Sequence, residues 1–170
     1  MPITVVPYDP EWPRRFEEER ALLERVLAPW LEGGIHHIGS TAIPGISAKP
    51  IVDLMAGVRD LGAARSAYRP LEAEGYVEAP HRPSIAHHFA KPSAEDAECG
   101  LHLTEPGSDL WRERLAFRDA LRADARLASE YEALKLRLAD EAADAGAYTM
   151  GKREFVGRVL ASSGIEFGRR

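Results

Sequence analysis

The chain has 170 residues, a mass of 18.8 kDa, a formal net charge of −5 and one cysteine. At roughly 100–200 residues per domain, one domain over residues 1–170 is expected, long enough to bury a core without disulfides or structural metal. A pI of about 5.7 argues against general nucleic-acid binding, which needs a basic surface, although a local basic patch stays open.

Cys99 has no intrachain partner and no Cys-x-x-Cys pair exists, which suits a reducing compartment. The first twenty residues carry Pro2, Asp9, Pro10, Pro13 and a Glu run and do not read as a signal peptide. The longest apolar stretches fall far short of the ~20 residues a bilayer span needs. The expected location is the cytoplasm, with no membrane partner.

In chain order, residues 3–6 form a short β-type run that Pro7 ends. A helix follows, capped by Asp9 or Trp12, with Pro10 or Pro13 at its first position, where a missing N–H costs little. Its stripe is Trp12, Phe16, Leu23, Val26, Leu27 and Trp30, and Gly33-Gly34 stops it. Residues 35–38 read as a strand and 39–45 as a turn-rich loop. Residues 51–58, apolar apart from one charge, read as a buried central strand. A helix over 61–74 ends at Gly75, and 76–78, 85–91 and 99–104 read as strands, the last two a hairpin around the polar, acidic and mobile loop 92–98.

The remainder is helical. Ser108 caps a helix carrying Leu110, Trp111, Leu115, Phe117 and Leu121, and Asp124 caps one carrying Leu127, Tyr131, Leu134 and Leu138. Thr149 caps a last helix with Phe155, Val156, Val159 and Leu160 inside, and the tail from Gly164 frays. The expected fold class is α+β, with a small mixed sheet over 35–105, flanking helices and a helical C-terminal half over 108–163.

The chemistry concentrates between Ile35 and Val58. Gly39 lets the backbone approach a ligand, while Ser40 and Thr41 offer hydroxyls and amides to an anion. Asp53 sits mid-strand among apolar residues, where an unpaired carboxylate is costly, so it should meet a metal, a cation or a hydrogen-bonding cluster. The plainer alternative is a structural pair with Lys or Arg. Lys49 opens the same strand and, with Lys91, could steer phosphates as a point charge. Lys152 follows Tyr148 by one helical turn on the same face. This is not a Walker A loop, since Lys49 precedes Pro50 and a strand rather than opening a helix.

The strand–Gly-Ser–strand–acid order resembles the nucleotidyltransferase superfamily of the polymerase-beta type. More specifically, the chain resembles the GrpB family. The phrases that carry the resemblance are Tyr8-Asp9-Pro10-Glu11-Trp12-Pro13, His37-Ile38-Gly39-Ser40-Thr41-Ala42-Ile43-Pro44-Gly45, Lys49-Pro50-Ile51-Val52-Asp53-Leu54, Leu101-His102-Leu103, Trp111-Arg112 through Phe117-Arg118-Asp119, Tyr131 to Lys135, and Tyr148-Thr149 through Lys152. The family is largely uncharacterised, and some related domains are fused to dephospho-coenzyme A kinase.

The resemblance implies a nucleotidyltransferase-like protein that moves a nucleotidyl group from an NTP to a small-molecule acceptor with Mg²⁺ as cofactor. Asp53 and Lys49 would be catalytic. Gly39, Ser40, Thr41, Lys49, Lys91 and Lys152 would hold the nucleotide or its phosphates. The superfamily places two acids at alternate strand positions to hold paired metal ions. Asp53 fills the first, but Met55 fills the second, and a thioether is a poor Mg²⁺ ligand. Glu105 is the candidate replacement metal ligand.

Of the six histidines, His36, His81 and His87 read as ordinary, whereas His37, His102 and Tyr148 are candidate site residues. Thr104 stands where the family often has a second His after His102. Two alternatives follow: a catalytically degenerate nucleotide-binding or regulatory module, which Met55 favours, and a metal-dependent hydrolase built on His37, His102 and Asp53.

Overall fold

The apolar run after Pro50 forms β2 (Val52–Val58), the strand around which the other elements are arranged. In the computed structural model, which describes residues 3–80 and 84–168, Val52, Leu54, Ala56 and Val58 point to one face and are fully buried. Asp53 and Met55 point to the other, because side chains alternate along a strand. Fully burying a side chain such as Leu54 is worth about 1.5–3 kcal/mol. A one-residue slip would exchange that row for the row holding Asp53, which fixes the register.

β1 (Leu31–Ile38) pairs antiparallel to β2, with Ile38 opposite Asp53. β5 (Cys99–Thr104) pairs parallel to β2 on its other side, with Gly100 opposite Asp53 and His102 opposite Met55. β4 (His87–Lys91) pairs antiparallel to β5, and β3 (Val77–Glu78) antiparallel to β4, giving a mixed sheet of order β1-β2-β5-β4-β3.

Two cores result. On the first face, α1 (Trp12–Val26) and α2 (Tyr68–Ala73) bring Trp12, Leu23 and Leu71 onto Leu54, Leu101 and Leu103. The C-terminal half holds α3 (Asp109–Ala123), α4 (Ala125–Glu141), α5 (Ala145–Gly151) and α6 (Arg153–Ser162). These pack around Tyr131, Phe155, Val159 and Leu121, together with Ile43 and Ile46 from the loop after β1. The helical half reaches the sheet where Trp111 of α3 meets His36 edge-on at 5.0 Å.

Several boundaries differ from the sequence expectation. Residues 3–6 form no strand; only Val6 makes a bridge, to Ala48. Neither Asp9 nor Trp12 caps α1. Its N-cap is Glu11, whose amide donates to Asp9 Oδ1, so Asp9 orders the turn before the helix. Gly33 and Gly34 do not end α1, which stops at Val26. Their positive φ values instead carry an irregularity inside β1 between Leu31 and Ile35.

The stretch 61–74 divides into a 3₁₀ turn over Ala63–Ala67 and then α2. The 85–91 strand begins at His87 and the 76–78 strand at Val77. Ser108 and Asp124 cap their helices as expected. Thr149 does not: Asp144 caps α5 by accepting from Ala147 N–H, and α6 follows directly, so four helices replace the expected three. His81 lies outside the described residues.

Candidate functional site

Between the second face of the sheet and the helical half lies a cleft of about 440 Å³. Its floor is the end of β1, the Gly39–Thr41 turn and Asp53. Its walls are Glu113, Arg114 and Phe117 of α3, Tyr131 of α4, Tyr148 of α5, and Lys152 with Arg153 at the α5–α6 junction.

Asp53 is presented between two glycines. Gly39 has φ 74° and ψ −176°, a conformation open essentially only to glycine. A Cβ there would stand 2.8 Å from Asp53 Oδ2, and a Cβ at Gly100 would run into Asp53 Oδ1. Small residues therefore leave both carboxylate oxygens room. Its ion-pair partner is His102, whose Nε2 lies 3.7 Å from Oδ1, outside hydrogen-bond range. The Asp53 side chain keeps 34% of its surface accessible.

Opposite stands a group of lysines on tyrosine rings. Lys49 Nζ and Lys152 Nζ lie 4.9 and 4.6 Å from the centroid of the Tyr148 ring, which is buried. Among the described residues neither ammonium has a carboxylate within ion-pair distance. Burial and the neighbouring Lys152 hold the Lys49 amine below its ordinary range. Burial, and secondarily Arg114, bring Lys152 down to about 8. Behind them, Lys135 is 1% exposed, donates to Ser47 O and lies 5.0 Å from the Tyr131 ring; burial lowers it to about 7. Glu132 accepts from Ser47 N–H, so α4 grips the backbone leading to Lys49 from both sides. The hydroxyls of Tyr131 and Ser40 are hydrogen-bonded, and burial raises the Tyr131 phenol.

The turn beneath the cleft is held from the far side of the sheet. Thr41 Oγ1 donates to Ile51 O at 3.1 Å and so accepts from His37 Nε2–H at 2.9 Å. His37 stacks on Phe16 of α1 at 4.8 Å. Burial, reinforced by Arg122, lowers its pKa to about 4, so the ring is neutral. Arg122 Nε donates to Ala42 O, completing the support.

The structure thus brings together Gly39, Ser40, Thr41, Lys49, Asp53, His102, Tyr148 and Lys152. It separates the others. His37 is on the opposite face from Asp53 and His102, because neighbours on β1 alternate, so the hydrolase trio is not assembled. Lys91 lies away from the cleft, paired with Glu19 at 3.0 Å over the Tyr76 ring. Glu105 is turned toward the α2 side, where it accepts from Leu61 N–H. The Thr41 hydroxyl donates into the scaffold rather than to a ligand. Sequence reasoning missed Glu113, Arg114, Arg153 and the buried Lys135, which sit on helices where charged residues usually face solvent. Phe167, from the tail expected to fray, also lines the cleft.

Two Mg²⁺ ions need a set of hard oxygens. The cleft offers the Asp53 carboxylate, while Met55 is buried and Glu105 is elsewhere. Glu113 Oε1 accepts from Gly168 N–H. Among the described residues no three His, Cys, Asp or Glu side chains converge on a metal position. This donor set does not fit a protein-built two-ion centre.

The family model described as GrpB protein matches residues 2–162. The chain belongs to the GrpB family. A UPF0157 protein of Deinococcus radiodurans is 39% identical over 149 residues, covering 88% of this chain and 76% of that one. The crystal structure of the conserved protein GrpB from Enterococcus faecalis superposes with a TM-score of 0.84 at 26% identity, covering 94% and 96% of the two chains. GLD-2 in its complex with RNP-8 superposes with a TM-score of 0.59 at 12% identity, covering 88% of this chain and 60% of that one; a related structure describes GLD-2 as a non-canonical poly(A) polymerase. That likeness shows the fold, an α+β sheet of the nucleotidyltransferase type. Among the described residues no helix of this GrpB-family chain is long and apolar enough to cross a membrane.

Proposed function

We propose that this GrpB-family protein binds a nucleoside triphosphate, or a nucleotide-containing cofactor, in the cleft between sheet and helices. The observation that carries this reading is the pair of ammoniums, Lys49 and Lys152, flanking Tyr148 with no carboxylate partner among the described residues. Holding two cations together in a desolvated cleft is costly unless an anion completes the site. A polyphosphate does so, with its other oxygens against the Gly39–Ser40 backbone, which has room for close approach. Apolar and aromatic residues also line the cleft, Val156, Leu160 and Phe167 among them, and suit an uncharged portion of the same ligand.

Nucleotidyl transfer to a small acceptor is the second reading, favoured by Asp53. Its carboxylate is kept clear by two glycines, as a group acting on a ligand would be. The Met55 position, and the lack among the described residues of a second carboxylate beside Asp53 for a metal, favour a binding or regulatory module instead.

Calorimetric titration and thermal shift with inorganic triphosphate, the four NTPs and coenzyme A precursors, each with and without Mg²⁺, test the proposal. A ligand at one hundred times its Kd stabilises the native state by about 2.7 kcal/mol. Saturable binding of a triphosphate, weakened by Lys49→Met, is expected. No stabilisation by any phosphate compound at millimolar concentration would refute the reading. Turnover of labelled NTP then separates catalyst from binding module.

A further inference from the structure

Beside the edge strand β1, between α1 and α3, lies a second cavity of about 340 Å³. It is distinct from the cleft that holds Asp53, with which it has only Thr41 in common. Pro13 and Phe16 of α1, Ile35 of β1 and Pro44 give it an apolar lining. Its polar groups differ sharply in whether they already have partners. The His37 ring bonds the Thr41 hydroxyl, and that hydroxyl donates to Ile51 O. His36 Nε2 donates to Gly33 O at 2.8 Å. Glu17 accepts from Arg20 Nε at 2.8 Å and Nη2 at 2.5 Å. Arg118 is ion-paired with Asp119 at 2.8 Å, and its Nη1 donates to His37 O at 3.4 Å.

Two groups are left over. Arg122 donates from Nε to Ala42 O at 2.9 Å, and among the described residues neither of its Nη atoms has a hydrogen-bond or ion-pair partner. The Tyr8 hydroxyl likewise has no hydrogen-bond partner among the described residues, while its ring is fixed edge-on against Trp12 at 5.4 Å. Both line the same cavity, and the Tyr8 phenol is close enough to act electrostatically on Arg122. Three donors with no acceptor thus face one partly apolar space.

We propose that this cavity binds a small organic carboxylate, with its carboxyl group on Arg122 and Tyr8 and its apolar body against Phe16 and Pro44. A guanidinium anchored through Nε presents Nη1 and Nη2 as a planar pair of donors, which matches the two oxygens of a carboxylate. The Tyr8 O–H adds a third bond to one of those oxygens. Charge points the same way. Arg118 is offset by Asp119 and Glu17 by Arg20, which leaves one uncompensated cation, the complement of a single negative charge. A phosphate dianion would bring a second charge with no partner. The bond to Ala42 O also holds the long Arg122 side chain in place beforehand, which reduces the ordering cost of binding. The ligand would touch Thr41 from the His37 side, away from Asp53, so it is not the group on which Asp53 acts.

Benzoate, titrated into the full chain labelled with nitrogen-15, tests the proposal, with backbone amide and arginine Nε resonances followed by NMR. Saturable shifts are expected at Tyr8, His36 and Arg122, with a Kd of about 1 mM for a ligand of this size. Benzyl alcohol, of the same shape without the charge, should bind about tenfold more weakly. Arg122→Lys keeps the charge but loses the planar pair of donors, and should weaken benzoate about tenfold. Tyr8→Phe removes one hydrogen bond and leaves the packing on Trp12, so it guards against a folding defect; it should weaken benzoate about threefold.

Benzoate that binds no better than benzyl alcohol, or that shifts only resonances around Tyr148 and Lys152, overturns the proposal. So does an affinity that neither Arg122→Lys nor Tyr8→Phe changes. Phenyl phosphate seated in this cavity more tightly than benzoate overturns the carboxylate as its ligand class. Inorganic triphosphate titrated into the same sample reports on the two-lysine cleft separately. The two sites have no charged group in common, so failure of either reading leaves the other standing.

Discussion

Replacing Asp53 by Asn separates a carboxylate that serves a ligand from one that serves the fold. A buried structural ion pair that loses one partner costs about 3–5 kcal/mol. Asp53 is not in that situation: its side chain is 34% accessible, and its nearest partner, His102, is 3.7 Å away and itself partly accessible. An exposed pair of this kind is worth about 0–1 kcal/mol. Asp53→Asn should therefore move the midpoint of thermal unfolding by no more than ~2–4 °C for a chain of this size.

The effect on binding should be larger and should change sign with the buffer. Without divalent cations the substitution removes a negative charge beside Lys49 and Lys152, and triphosphate should bind a fewfold more tightly, the equivalent of about 1 kcal/mol at an effective dielectric between protein and water. With Mg²⁺ present, loss of the anionic oxygen should abolish whatever enhancement the cation gives. Paired melting curves and calorimetric titrations with inorganic triphosphate, in chelator and in Mg²⁺, check both. A fall of more than about 8 °C would mark Asp53 as structural. Unchanged triphosphate affinity in both buffers would remove it from the site.

Three further outcomes follow from the same geometry. His37 has a folded pKa near 4, below its ordinary 6.5, so the unfolded chain takes up the proton first; its contribution is fully present above pH 6.5 and is lost as pH falls toward 4, by about 3 kcal/mol. His37→Gln should flatten that window when urea unfolding of the two proteins is compared. Lys135, near 7 when folded against 10.5 unfolded, acts between higher limits: stability should rise with pH above 7 by up to about 1.4 kcal/mol per unit, and Lys135→Met should remove the rise in urea unfolding between about pH 7 and 8, leaving above pH 8 the part that Lys152, near 8 when folded, contributes. Gly100→Ala places a methyl group against Asp53 Oδ1 on an otherwise tolerant strand backbone, so triphosphate affinity in Mg²⁺ should fall about tenfold while the melting temperature shifts by no more than ~2–4 °C. A large drop in melting temperature, or unchanged binding, would show that the carboxylate position is not what the glycine protects.

Much of this protein was legible in the order of its residues. The apolar run of β2 read as a buried central strand, and the single charge in it, Asp53, was expected to meet a metal, a cation or a hydrogen-bonding cluster. Ser108 and Asp124 announced their helices because a side-chain oxygen at that position satisfies an otherwise orphaned amide. The division of α5 from α6, and the bulge that Gly33 and Gly34 make inside β1, were not legible, since each depends on what the neighbouring strand or helix leaves room for.

The site divides in the same way. Period-two alternation placed Asp53 and His102 on faces, but only the parallel pairing of β2 with β5 made those faces one and set the two side chains 3.7 Å apart. His37 went to the opposite face, Lys91 to Glu19 and Glu105 to Leu61, each captured by a partner distant in sequence. Lys49 and Lys152 meet over Tyr148 although about a hundred positions separate them. Local sequence determines which backbone groups can be satisfied and which face of an element is apolar. Which charges end in one cleft depends on how two separately packed cores dock, and that is settled by tertiary contacts alone.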